Sequence, residues 1–240
     1  MHHFIRTACA TALLATGFAA HAGTVTFNSW QYAVGGNKGW NIAKIQHGNS
    51  TKDVAAAAFN LTLSGFADTR FNNLAFEAYC VELEQFISVP GTFQNYTIAA
   101  IETTYLASKA AALTRLISHA SNTSLLANTG AGFKDDQSTA LQLAIWNIVY
   151  DTDITLSTHL GANFSETTSI GYRNPIANFV GADALLGGPA ASGYSLYVLQ
   201  SATNQNQIIW LRNQVPEPTS LALVALALGG VGFVSRRRKA

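Results

Sequence analysis

The sequence predicts an α+β domain, a β-sandwich or barrel-like sheet with a helical insertion of two main helices. Three observations carry that expectation. Apolar and polar residues alternate with period two near both ends of the central region, most cleanly in Phe59-Asn60-Leu61-Thr62-Leu63-Ser64. Helical spacing takes over in the middle, where Leu106, Ala110, Leu113 and Ile117 recur at i, i+4, i+7 and i+11. The central region, about 190 residues, is long enough for one domain with its own hydrophobic core.

Taken in order, Thr24 to Trp30 alternates with Val25 and Phe27 on one face, a half-buried strand. Phe59 to Ser64 is a second strand and Phe76 to Glu84 a third. Thr103 to Ala120 reads as the first helix, followed by a loop rich in Asn, Thr and Gly from Ser121 to Gly132. Lys134 to Tyr150 is the second helix, with Asp135 and Asp136 suited to its positive end. Leu141, Ile145 and Ile148 form one stripe, with Gln142, Trp146 and Val149 beside it. Apolar residues therefore wrap most of this helix, which implies burial. A short helix is expected from Ile176 to Leu185. Tyr194 to Gln200 and Gln207 to Arg212 read as closing strands.

The two ends of the chain are addresses. Residues 1–22 have the order of a secretory signal peptide: Arg6, an apolar stretch from Ala8 to Ala20, and Ala20-His21-Ala22 as the cleavage site. From Val215 to Ala240 three parts follow one another. Pro216-Glu217-Pro218 is held extended by its prolines. The apolar run Leu221 to Val234 has 14 residues, a short transmembrane segment against the ~20 of a comfortable span, extendable because Arg snorkels. Arg236, Arg237, Arg238 and Lys239 form a basic stop that keeps this end cytoplasmic. This tail resembles the PEP-CTERM signal of Gram-negative bacteria. The resemblance implies processing by signal peptidase and an exosortase-type enzyme, transient inner-membrane anchoring, and a final place on the cell surface or outside it. The working domain is then 23–214, with 215–240 as the sorting signal.

Removing both ends changes the charge. Without Arg6 and the four tail cations the 14 Lys and Arg become 9, and without Glu217 the 13 Asp and Glu become 12. The remaining domain carries −3 and has no basic patch, which argues against nucleic acid as a partner. Only 11% of the chain is charged, a composition of exported domains rather than cytosolic enzymes. Cys9 leaves with the signal peptide, so Cys80 is the lone cysteine of the domain and cannot form an internal disulfide.

Two segments carry chemistry: Tyr79-Cys80-Val81-Glu82-Leu83 and Leu141-Gln142-Leu143-Ala144-Ile145-Trp146. On a regular strand Tyr79, Val81 and Leu83 share the apolar face, and Cys80 shares the other with Glu82 and Glu84. Gln142 lies on a buried helix, where an unpaired carboxamide costs ~1–3 kcal/mol and so needs a partner. The pair resembles the Cys–Gln thioester domains of Gram-positive surface adhesins, with Leu141 standing where those adhesins usually have Thr. The resemblance implies that the Cys80 sulfur and the Gln142 acyl group join with loss of ammonia, shielded by Tyr79 and Trp146. It implies a non-enzymatic role, covalent attachment to a surface amine or hydroxyl, and no cofactor or metal.

Two other readings of the pair stay open at this level. Cys80 and Gln142 serve only packing, in a structural matrix protein that holds exopolysaccharide noncovalently. Or Cys80 is the nucleophile of a hydrolase with His119 as base, for which no third, orienting residue can be assigned. Lesser signals are Asp151 and Asp153, read as a capped turn rather than a calcium loop. The sequons at Asn60, Asn95 and Asn163 are chance in a bacterial chain. Trp30, Tyr32 and Trp40 are exposed aromatics at a sheet edge.

Overall fold

The computed structural model describes residues 22–33, 38–122, 134–151, 164–166 and 193–213. Within them the five expected strands appear as β1 (Gly23–Trp30), β4 (Phe59–Ser64), β5 (Ala75–Cys80), β8 (Tyr194–Gln200) and β9 (Gln207–Arg212), joined by four that the sequence reading did not name, β2 (Asn41–His47), β3 (Ser50–Ala56), β6 (Gly91–Ala100) and β7 (Phe164–Glu166). The helices are α1 (Ile101–Thr104), α2 (Ala107–Asn122) and α3 (Lys134–Tyr150). Six strands close into an antiparallel barrel in the order β1-β4-β5-β9-β8-β6, with β6 pairing back on β1. The remaining three form a small sheet, β3-β2-β7. The α+β expectation, a barrel with a helical insertion, is what the chain adopts.

Closure removes the sheet edges and sorts side chains by parity. Val25, Phe27, Leu61, Leu63, Phe76 and Ala78 fill the interior. The opposite parity on β5, β8 and β9, including Tyr79, Leu196, Val198 and Ile208, forms an outer core beneath α2 and α3. In the small sheet, β2 and β3 form a hairpin in which His47 faces Ser50. Its two-residue loop needs the positive φ of Gly48, +56°. Ala43 and Ile45 of β2 join the barrel-side core with Leu143 and Trp146 of α3. On its other side α3 buries Leu141, Ile145 and Ile148 in the outer core. Burial from both sides is why its apolar residues run most of the way round.

The limits of α3, β4, β8 and β9 agree with the sequence reading, and β1 does so to within a residue. Four expectations change. The first helix is two: α1 ends at Tyr105, which is extended at φ −120° and ψ 160°, and Leu106 is 73% exposed. The buried stripe therefore starts at Ala110, and α2 runs on through Ser121 and Asn122. The third strand stops at Cys80, because pairing with β4 ends at Ala78, opposite Phe59, and the β9 ladder that carries Tyr79 and Cys80 ends at Gln207, opposite Cys80. Cys80 consequently shares no polar face with Glu82 and Glu84. It is 4% exposed, and Leu83 belongs to its cluster rather than to that of Tyr79. Finally, Tyr32 is buried, its hydroxyl donating to Glu77 Oε1 at 2.8 Å, whereas Trp30 and Trp40 are half-buried with ring centroids 6.0 Å apart. The expected helix at 176–185, most of the loop at 121–132, the side chains of Asp135 and Asp136, Asp153, Asn163 and both terminal segments lie outside the described residues.

Candidate functional site

The site forms where the β4–β5 ladder stops short. Ahead of β4, Ala56 and Ala58 are drawn toward α3: Ser138 Oγ accepts the Ala58 N–H at 2.7 Å, and Thr139 Oγ1 donates to the Ala56 carbonyl at 2.7 Å. One helical turn on, Gln142 fills the vacant edge of β5. Its Oε1 accepts the Cys80 N–H at 2.9 Å and its Nε2 donates to the Cys80 carbonyl at 2.8 Å. The carboxamide thus pairs like a strand residue, and both of its polar atoms are satisfied. At its far end α3 holds the next segment, where the Tyr150 hydroxyl accepts the Leu83 N–H at 2.8 Å.

With its N–H and carbonyl turned to Gln142, Cys80 pairs with Gln207 of β9 in the non-hydrogen-bonded manner, which brings facing side chains closest. Both side chains point into the barrel. Gln207 is fully buried, and its Nε2 lies 3.5 Å from Cys80 Sγ and 3.3 Å from the Gln205 carbonyl. Its Oε1 is buried and has no hydrogen-bond partner among the described residues. The two glutamines differ: each polar atom of the Gln142 amide has a short bond, whereas Gln207 Nε2 has only the longer contacts at 3.5 and 3.3 Å.

Burial pushes the Cys80 thiol up to about 12, opposed by the Gln207 hydrogen bond and reinforced by the charge of Glu82. At neutral pH this holds the sulfur as a protonated thiol. Burial also raises Glu82 above the usual carboxylate range, opposed by the Asn206 N–H it accepts, with Glu84 adding to the rise. His119 lies on α2, within a turn of its end. Asp151 is buried, its N–H bonded to the Asn147 carbonyl at 2.8 Å in a continuation of the helix. Among the described residues no cluster of three or more His, Cys, Asp or Glu is placed to hold a metal.

Cys80 also opens on a cavity of about 230 Å³ whose walls include Trp30, Phe59, Trp146 and Phe86, with Asp53 and Gln205 as polar members. Trp146 is 1% exposed and lies on the sulfur side of β5. Tyr79 is buried on the other side, its hydroxyl donating to Glu77 Oε1 at 2.9 Å and its ring stacked 6.2 Å from Trp210. Leu141 packs in the same outer core. Gln207 is the residue that sequence reasoning missed. The signal was present: strand parity puts it on one face with Ile209 and Leu211, a buried amide as anomalous as Gln142.

Residues 214–239 match the model of the PEP-CTERM protein-sorting motif. The tail is therefore a sorting signal, and the chain is an exported surface protein processed by an exosortase-type enzyme. Among the described residues no helix is long and apolar enough to cross a membrane, and Leu221 to Val234 lies outside them. No curated protein matches the chain. In fold, the chain is similar to the N-terminal domain of the Streptococcus pyogenes pilus tip adhesin Cpa, at 12% identity over 81% of this chain and 95% of that one, TM-score 0.43. It is also similar to the N-terminal thioester domain of a surface protein from Clostridium perfringens, at 13% identity over 72% of this chain and 100% of that one, TM-score 0.38.

Proposed function

We propose that this exported protein attaches covalently, once per molecule and without turnover, through an internal thioester at Cys80. The observation that carries the reading is a buried thiol facing an imperfectly satisfied carboxamide across two paired strands, at the wall of a cavity. Gln207 is the acyl donor this geometry favours. Its amide nitrogen forms no short bond that would be lost. Loss of ammonia from Gln142 would instead strip the Cys80 carbonyl of its 2.8 Å partner. In formation, Cys80 Sγ attacks Gln207 Cδ, the Sγ–Cδ bond forms, the Cδ–Nε2 bond breaks, and the amide nitrogen leaves as ammonia with the thiol proton. In attachment, an amine or hydroxyl on the target attacks Cδ. The new N–Cδ or O–Cδ bond replaces the S–Cδ bond, and the sulfur recovers a proton as the free thiol. Trp146 keeps water from the bond on the cavity side, and Tyr79 seals the back of the strand.

Intact-mass measurement of the exported protein tests this. The wild type should be lighter than its sequence by one ammonia, and methylamine should add at the acyl residue. Gln207→Ala should restore the full mass and leave Cys80 as a thiol, whereas Gln142→Ala should keep the deficit if it folds. The reverse pattern assigns the acyl group to Gln142, as the helix motif implies. A wild type of full sequence mass, alkylated at Cys80 under native conditions, sinks the thioester. The second reading is then the stronger one. The doubly bonded Gln142 amide supports the part of that reading in which these residues only pack; noncovalent binding of exopolysaccharide remains its proposal.

A further inference from the structure

The proposed thioester joins the last residue of β5 to the first of β9, and a single carboxylate ties those two strand ends together. Glu82, two residues past Cys80, turns back on Asn206, the residue before Gln207. Its Oε1 accepts the Asn206 backbone N–H at 2.8 Å, and its Oε2 accepts from Asn206 Nδ2 at 2.9 Å. Around this fork the backbone is stitched as well. The Val81 N–H donates to the Asn206 carbonyl at 3.1 Å, and Gln205 Nε2 donates to the Glu82 carbonyl at 2.9 Å. Asn206 Oδ1 accepts the Ser201 N–H at 2.8 Å, closing the turn from β8 to β9. The Tyr96 hydroxyl, reaching across the barrel, donates to the Gln205 carbonyl at 2.9 Å.

The placement of Gln207 against the sulfur therefore depends on Asn206, and Asn206 presents both of its donors to one side chain. Two parallel charge-assisted bonds fix orientation as well as distance. Reactions between held groups are sensitive to displacements of about 1 Å. We propose that Glu82 is a positioning residue: acting through Asn206, it holds the Gln207 carboxamide on the Cys80 sulfur and so sets how completely the thioester forms. This rests on the reading of Cys80 given above. It gives a task to a carboxylate that would otherwise be an unfavourable neighbour for a buried thiol.

The test is a swap, read by intact mass and by the rate of Cys80 alkylation with iodoacetamide. Glu82→Gln turns one acceptor into an amide donor that faces the Asn206 amide, so donor meets donor. The ratio of thioester to thiol should fall about tenfold. Adding Asn206→Asp supplies an acceptor for the introduced amide and keeps one for the Ser201 N–H. The double variant should return to within about twofold of wild type, a recovery that generic damage to the turn does not predict. A Glu82→Gln protein with wild-type occupancy, or a double variant that fails to recover, overturns the proposal. If the wild type carries no thioester, the reading of Cys80 fails, yet the clamp is still tested. Alkylation of Cys80 should then be about tenfold faster in Glu82→Gln and slow again in the double variant, and equal rates in all three overturn it. Should Glu82→Gln alone not accumulate as folded protein, Asn206→Asp, which keeps the acceptor for the Ser201 N–H but sets a carboxylate against Glu82, takes its place as the single variant, and the double variant must still recover.

Discussion

Replacing Gln142 by alanine separates what this residue does for the fold from what it does for the chemistry. Its carboxamide is the partner of the Cys80 N–H at 2.9 Å and of the Cys80 carbonyl at 2.8 Å, in a place fully closed to solvent. Each buried backbone group left unpaired costs ~1–3 kcal/mol, and removing the amide's own desolvation returns part of the sum. A net loss of about 3 kcal/mol follows from two such groups. In a domain of this size each kcal/mol moves Tm by about 2–4 °C, so the midpoint should fall by about 6–12 °C. Thermal denaturation followed by circular dichroism gives the shift, and the mass of the same sample shows whether ammonia has been lost. The expected protein is destabilised yet still one ammonia light. A shift below about 2 °C would refute the strand-like role of the carboxamide. An undestabilised protein of full sequence mass would go further, making Gln142 the acyl donor.

Three further outcomes are expected. Trp146→Ala empties a core site and should cost about 3–5 kcal/mol in chemical denaturation, and it should speed hydrolysis of the bond, measured as loss of methylamine reactivity with time. Burial raises the Cys80 thiol from its ordinary 9.0 to about 12 in the folded protein, and Gln207→Ala frees that thiol while removing a hydrogen bond that opposes the rise. The folded state therefore binds more protons between those values, so stability should fall as pH rises from 9.0 to about 12. Adding Cys80→Ala should remove that slope in denaturation curves taken across the range. Replacing Pro216 and Pro218 by alanine should leave the sorting segment uncut, detected as a product retaining Val215 to Ala240 in the membrane fraction.

Part of the scaffold was legible where an element announces itself locally, whereas β2, β3, β6 and β7 were not read. Phe59 to Ser64 alternates without interruption, and α3 carries apolar residues on nearly every side, since one flank meets the barrel-side core and the other the outer core. Leu106 misled because it continues the spacing of Ala110 and Leu113. Tyr105 breaks the helix just ahead of it, so the residue faces solvent. Val81 to Glu84 misled for another reason: they alternate like a strand but have no ladder partner on the β4 side. Their places are set instead by Asn206 and Tyr150, far away in the chain. Cys80 and Gln142 were marked by type, as a lone thiol and a buried amide, and by the short motifs around them. Gln207 carried a similar mark but no motif.

The sequence by itself determined the destination of this protein, the class of its fold and the one cysteine of its domain. Those follow from short stretches: a tail with motif, apolar run and basic stop, alternation that builds a sheet, and one cysteine. Only the tertiary structure decided which glutamine the sulfur faces. Cys80 is 62 residues from Gln142 and 127 from Gln207, and the local motif points to Gln142 alone. Barrel closure brings Gln207 to the sulfur instead: it pairs β5 with β9, directs Cys80 and Gln207 inward by parity, and leaves the unpaired backbone edge of Cys80 to Gln142.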